Sequence, residues 1–229
     1  MAYEKERQKP ADFTREQTMI YELRAYTIQP GRAPEFAKLS GDVARPIRGN
    51  DYGTLEGYWL SEFGPLNQVV HLWSHADLNA RQDARARLGQ NQAWTNEFIP
   101  QAMPLIQKQE IKLMTAVKPL NPPTSQGNVY EYRHYRTKTG RAKEFAENLR
   151  GAFPVREKYS PNVGLWITEA GQPNEVSHMW VYESLNQRFE ARGACAQDED
   201  WQAFLGKAGP LLEEMHSMIM LPADFSPMQ

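Results

Sequence analysis

Two short runs carry the residue types best suited to chemistry, and each occurs twice. Glu22, Arg24 and Tyr26 sit two apart within Tyr21-Glu22-Leu23-Arg24-Ala25-Tyr26, and Glu131, Arg133 and Tyr135 repeat them within Tyr130-Glu131-Tyr132-Arg133-His134-Tyr135. His71-Leu72-Trp73 recurs as His178-Met179-Trp180. A histidine titrates near neutrality and can serve as general base or as a metal or haem ligand. The competing role is a buried ring bonded to Glu, Tyr or backbone. Glu22 and Glu131 offer paired carboxylates, but each has an arginine roughly 6.6 Å along its strand face, and an ion pair keeps a carboxylate ionised. That favours a structural or anion-binding role over general-acid work. Arg24 and Arg133 suit a bidentate grip on a carboxylate or phosphate, or they neutralise the glutamates. Tyr26 and Tyr135 can donate to a developing oxyanion, or pack at a strand end. Trp59, Trp73, Trp166 and Trp180 would line an aromatic small-molecule cavity, or fill it.

The repetition extends along most of the chain. Tyr21 and Tyr130 are 109 apart (130 − 21), and the same offset holds for Gly31/Gly140, Glu35/Glu144 and Phe36/Phe145. Downstream the offset is 107 (178 − 71), as in Gly57/Gly164, Arg81/Arg188, Arg85/Arg192 and Trp94/Trp201. This is an internal duplication in which two residues were gained or lost between a first helix and the next strand.

Residues 19–28 alternate with strand period. Pro30-Gly31 turns the chain, and Phe36, Leu39, Val43 and Ile47 have helical spacing from Arg32 to about Arg48. Strands are expected near Gly53–Glu62 and Asn67–His75, then a helix capped by Asp77, a helical piece carrying Trp94 and Phe98, and a fourth strand from Lys108 to Val117. The second half repeats this strand–helix–strand–strand–helix–strand order, with Ser184 as the helix cap. The predicted organisation is a mobile arm over residues 1–18, domains at 19–117 and 128–221, a linker over 118–127, and a loop-like tail at 222–229.

Residues two apart share a strand face. Tyr21, Leu23 and Ala25 form an apolar set predicted to lie under the helices, as do Val70 and Leu72. Glu22, Arg24, Tyr26, His71 and Trp73 are then predicted on the helix-free face, with Gly57 and Trp59 paired on a face of their own strand. If the halves close face to face, these groups and their copies line a shared interior.

The net charge of −2 gives no electrostatic reason to expect nucleic acid. The densest basic segment, Arg81 to Arg87, reads as a solvated helix face, and no basic run is long enough for a membrane patch. A single cysteine, Cys195, excludes an intrachain disulfide and reads as a small buried group. His75, His134 and His216 do not recur and read as incidental. With no apolar signal segment in residues 1–18 and no long apolar stretch, a cytoplasmic protein is expected.

The YELRxY opening, the PGR or TGR turn, the His-x-Trp strand followed by an L-N-x-R helix, and the later tryptophan together resemble the NIPSNAP family over about residues 19–117 and 128–221. The resemblance implies an α+β fold: two ferredoxin-like repeats (βαββαβ) forming one pseudo-twofold barrel of the dimeric α/β-barrel superfamily. It brings no settled set of catalytic residues, and a fold alone leaves function open. Three functions stay in view. The first is small-molecule binding in the barrel interior, with cofactor-free isomerase, lyase or monooxygenase chemistry on a small apolar or aromatic metabolite, His71 or His178 acting as base. The second is a non-catalytic ligand-binding or interaction module with a structural polar interior. The third is haem or metal binding through His71 or His178. No organic cofactor is predicted, and further pairing into a homo-oligomer is compatible with the sequence.

Overall fold

The computed structural model describes residues 19–229; the expected mobile arm over residues 1–18 lies outside them. The first half begins with β1 (Ile20–Ile28) and turns at Gly31, whose φ of 77° is one that glycine adopts freely. It enters α1 (Ala33–Leu39), and a π-helical turn, Ser40–Ala44, carries the helix on into α2 (Arg45–Arg48). The hairpin β2 (Thr54–Phe63) and β3 (Gln68–His75) follows. Asp77 then caps α3 (Leu78–Gln90) by accepting from the Ala80 N–H, and α4 (Ile99–Ala102) leads to β4 (Ile106–Lys118). The second half repeats the order with β5 (Val129–Thr137), α5 (Ala142–Arg156), β6 (Asn162–Ala170), β7 (Glu175–Tyr182), α6 (Leu185–Cys195), α7 (Glu199–Ala208) and β8 (Leu212–Pro222). Ser184 caps α6, as expected. The π-helical turn holds one residue more than an α-turn. Beyond it Arg48 takes the place that Arg156 takes in the continuous α5, an offset of 108 (156 − 48) between the 109 and 107 on either side.

All eight strands close into one antiparallel barrel in the order β1-β3-β2-β8-β5-β7-β6-β4. The two ferredoxin-like units meet at β2–β8 and β4–β6, giving the expected pseudo-twofold barrel.

The faces are the reverse of those predicted. Tyr21, Leu23, Val70 and Leu72 point into the barrel and pack with Tyr130, Tyr132, Met179 and Val181 of the other half. Tyr26 and Trp73 lie instead beneath the first helical layer, and Tyr135 and Trp180 beneath the second. The strand register sets Glu22 beside Trp73 and Arg24 beside His71, and likewise Glu131 beside Trp180 and Arg133 beside His178. None of Glu22, Arg24, Tyr26, His71, Trp73, Glu131, Arg133, Tyr135, His178 or Trp180 therefore lines a shared interior. The physical reason is barrel closure. The mid-barrel interior is taken up by the apolar cluster of both halves, and where a carboxylate does face inward, at Glu175, Lys112 pairs with it at 2.7 Å. The helical layer can supply partners, as it does below. Trp59 and Trp166 do point inward, because β2–β3 pairing sets Trp59 beside Val70 and Tyr58 beside His71. Both are fully buried and fill the barrel. Gly57 and Gly164 make room for them: a Cβ there would come within 2.1 and 2.3 Å of the respective indole rings.

The tail beyond β8 has no regular structure but is packed. Met228 joins the barrel core, and the Phe225 ring lies 4.7 Å from that of Tyr58.

Candidate functional site

A cavity lies between sheet and helices in each half. The first, about 280 Å³, is lined by Arg24, Tyr26, His71 and Trp73 from the sheet, with Arg48, Arg85 and Trp94 above them. The second, about 260 Å³, repeats these as Arg133, Tyr135, His178 and Trp180, with Arg156, Arg192 and Trp201 above. The duplicated groups thus form two separate constellations.

The His-x-Trp spacing puts both rings on one strand face. Trp73 Nε1 donates to His71 Nδ1 at 2.6 Å, and Trp180 Nε1 to His178 Nδ1 at 2.6 Å. An indole N–H can only donate, so each Nδ1 holds a lone pair and the neutral imidazole carries its proton on Nε2. Burial, reinforced by Arg24 and Arg48 in one half and chiefly by Arg133 in the other, pushes both imidazoles well below their ordinary pKa. Each ring is therefore neutral at pH 7 and offers Nε2–H as a donor. In this tautomer neither nitrogen has a free lone pair to take a proton, or to ligate a metal or haem iron. The His178 Nε2 is buried with no acceptor. The rings are held edge-on by Tyr26 and Tyr135, at centroid distances of 4.9 Å in both halves. In the first half only, Tyr58 also stacks on His71 at 5.2 Å while its hydroxyl donates to Ser40 Oγ at 2.8 Å.

The glutamates line neither cavity; they anchor the arginines. Glu22 accepts from Arg24 Nη1 at 2.7 Å and Arg81 Nε at 2.6 Å, with His75 Nε2 at 3.6 Å and Arg85 at 4.0 Å. Glu131 accepts from Arg188 at 2.7 Å, Ser217 Oγ at 2.7 Å and the Tyr182 hydroxyl at 3.1 Å, with Arg133 at 3.3 Å. Burial raises both carboxyl pKa values, but these partners outweigh it: Glu22 ends far below the ordinary range and Glu131 at about 2. Both are ionised at pH 7. Arg48 lies 3.4 Å above the Trp73 ring, and burial with repulsion from Arg24 lowers its pKa to about 9. Arg156 sits likewise over Trp180, at 4.4 Å.

Neither cavity has an Asp or Glu among its lining residues, while each has at least three arginines. The arrangement can hold an anion, with a neutral imidazole N–H and guanidinium groups as its donors. Of the predicted ligand-binding tryptophans, Trp73 and Trp180 line the cavities and Trp59 and Trp166 do not. Arg81 and Arg85, read as a solvated face, turn to Glu22, and His75 belongs to the same network. Recurrence of both arginines as Arg188 and Arg192 was the available signal. Tyr58, Ser40 and Phe225 left no such signal, since no copy of them exists in the second half.

The sequence pattern of the family described as NIPSNAP matches residues 21–119 and 130–227. A Dictyostelium discoideum protein named "Protein NipSnap homolog" is 30% identical over 211 residues, covering 90% of this chain and 88% of its own. Among solved structures, a Lactobacillus acidophilus protein described as a "putative monooxygenase" superposes with a TM-score of 0.65 at 13% identity, covering 93% of this chain and 99% of its own. A protein described as anthrone oxidase-like gives a TM-score of 0.66 at 10% identity, covering 95% and 97%. At those identities the likeness shows the fold alone. No helix among the described residues is long and apolar enough to cross a membrane.

Proposed function

The chain belongs to the NIPSNAP family, and from that premise we propose that it is a small-molecule-binding α/β-barrel protein whose first cavity takes a planar, apolar or aromatic metabolite bearing an oxyanion. The observation that carries this reading is the lining itself: Arg24, Arg48, Arg85 and the His71 ring, with no carboxylate. Trp73, Tyr58, Phe36 and Phe98 supply flat apolar walls for the body of such a ligand.

A neutral imidazole N–H beside guanidinium groups stabilises a phenolate or enolate as its charge develops. His71 is thus an anion-stabilising donor, with Arg24 holding the same charge and Tyr26 fixing the ring. Chemistry without a cofactor would then rest on lowering the substrate's own pKa. Isomerisation or oxygenation of an enolisable or phenolic compound fits that need. The non-catalytic reading is favoured by one observation: the Nδ1 lone pair of His71 is engaged by the Trp73 N–H, so it does not face a ligand as a base. Both readings require the same bound anion.

Met103 lines the first cavity, so its ¹³C-methyl resonance reports on occupancy. Titration with 2-naphthoate should shift it, with the neutral 2-naphthalenemethanol binding at least tenfold more weakly. Equal binding of acid and alcohol, or an unmoved Met103 signal, would refute the reading.

A further inference from the structure

The two cavities share their arginines, histidine and tryptophan but differ in what surrounds them. Tyr58, whose ring stacks on His71, corresponds to Leu165, and its hydrogen-bond partner Ser40 to Leu149. Phe225 of the tail enters only the first cavity. The body of the second is lined by Leu149, Cys195, Phe204, Leu205 and Met215. The rings of Tyr58 and Phe225 have no counterpart there, while Trp180, Phe145 and Trp201 remain, so aliphatic groups make up more of this wall than of the first.

The polar end of this second cavity remains. His178 is buried, and its Nε2–H has no acceptor; the Nε of Arg133 is buried and unpaired as well. A buried donor without a partner costs free energy, which an acceptor on a ligand would recover. Arg156 is already engaged, donating to Ser160 Oγ at 2.7 Å and the Tyr182 hydroxyl at 2.9 Å. Arg192 is held more loosely, by an ion pair to Glu131 at 3.6 Å, and its side chain is 37% exposed. Leu205 and Met215, both exposed, form an apolar rim. One anionic head therefore fits between His178, Arg133 and Arg192, with an apolar wall of Leu149, Phe204 and Leu205 beside it.

We propose that the second cavity is a separate site for a medium-chain aliphatic monocarboxylate, distinct in ligand class from the first. The carboxylate accepts from the His178 Nε2–H and the guanidinium groups of Arg133 and Arg192, and the chain lies among Leu149, Phe204 and Leu205. The assignment does not depend on the reading of the first cavity, because it rests on the unpaired donors and apolar lining of the second half.

Each cavity has one methionine in its wall, Met103 in the first and Met215 in the second. Octanoate titrated into ¹³C-methyl-methionine protein should shift Met215 at concentrations at least tenfold below any shift of Met103. Octanol should bind at least tenfold more weakly than octanoate. Arg192→Gln, at the partly exposed rim, should weaken octanoate tenfold or more while leaving the fold intact. His178→Phe should do the same if it folds. An unmoved Met215 would overturn the proposal. So would equal binding of octanol, or an Arg192→Gln variant that binds octanoate as the parent does. If Met215 responds as expected while Met103 ignores naphthoate, the second site stands and only the first reading fails.

Discussion

Replacing Glu131 by glutamine tests the network that positions the second constellation. Glu131 is fully buried and receives Arg188, Arg133, Arg192, Ser217 and Tyr182. The amide keeps the shape but removes the charge, leaving several guanidinium groups facing a neutral group. Breaking a buried ion network from one side costs roughly 3–5 kcal/mol. For a chain of this length each kcal/mol lowers Tm by about 2–4 °C, so Glu131→Gln should melt about 6 to 20 °C lower at pH 7. The pH dependence supplies a second reading. Burial alone would raise this carboxyl's pKa, but the surrounding donors hold it at about 2 against 4.5 for an ordinary glutamate. Between those values the unfolded chain binds more protons than the folded one, so stability falls as pH falls through that window. The shift corresponds to something on the order of 3 kcal/mol, present above about pH 4.5. The parent should therefore lose stability more steeply than Glu131→Gln as the pH drops below 4.5, and the gap between them should narrow. Urea denaturation followed by circular dichroism at pH 7, 4.5 and 3.5 measures both effects. A penalty below about 1 kcal/mol at pH 7, or a gap independent of pH, would refute the network.

Gly57→Ala and Gly164→Ala each press a Cβ into an inward-facing indole and should cost about 1–3 kcal/mol by overpacking; neutral urea midpoints for both would contradict a filled barrel. Trp73→Phe deprives His71 Nδ1 of its donor, which should cost about 1–3 kcal/mol and weaken naphthoate binding; an unchanged denaturation curve would count against that hydrogen bond. Phe225→Ala opens the wall shared by the tail and the first cavity, so the naphthoate affinity read at Met103 should change while octanoate binding at Met215 stays constant; a change at Met215 alone would misplace the tail's role.

The duplication made the element order legible. Gly31 and Gly140, Asp77 and Ser184, and the strand alternations mark the same turns, caps and strands in both halves. Alternation also told correctly that Glu22, Arg24 and Tyr26 share one face. It does not say which of two faces is which. A lone sheet with one helical layer would place its polar groups on the open side. Closure through β2–β8 and β4–β6 inverted that logic by joining the apolar faces of both halves into one mid-barrel core. Arg48 and Arg156 were hidden because the π-helical turn shifts their spacing to 108, matching neither offset. The roles of Tyr58, Ser40 and Phe225 depend on tertiary contacts that no repeat or local period records.

The protonation of the two imidazole rings sets what both cavities can bind, and ¹⁵N-detected correlation spectra of the imidazole nitrogens read it directly. His71 and His178 should each show a protonated Nε2 and an unprotonated, hydrogen-bonded Nδ1, unchanged between pH 8 and 5, with Nε2 moving on addition of naphthoate for His71 and octanoate for His178. A proton on Nδ1, or titration of either ring near its ordinary value of about 6.5, would contradict the donor assignment and return these histidines to candidate bases.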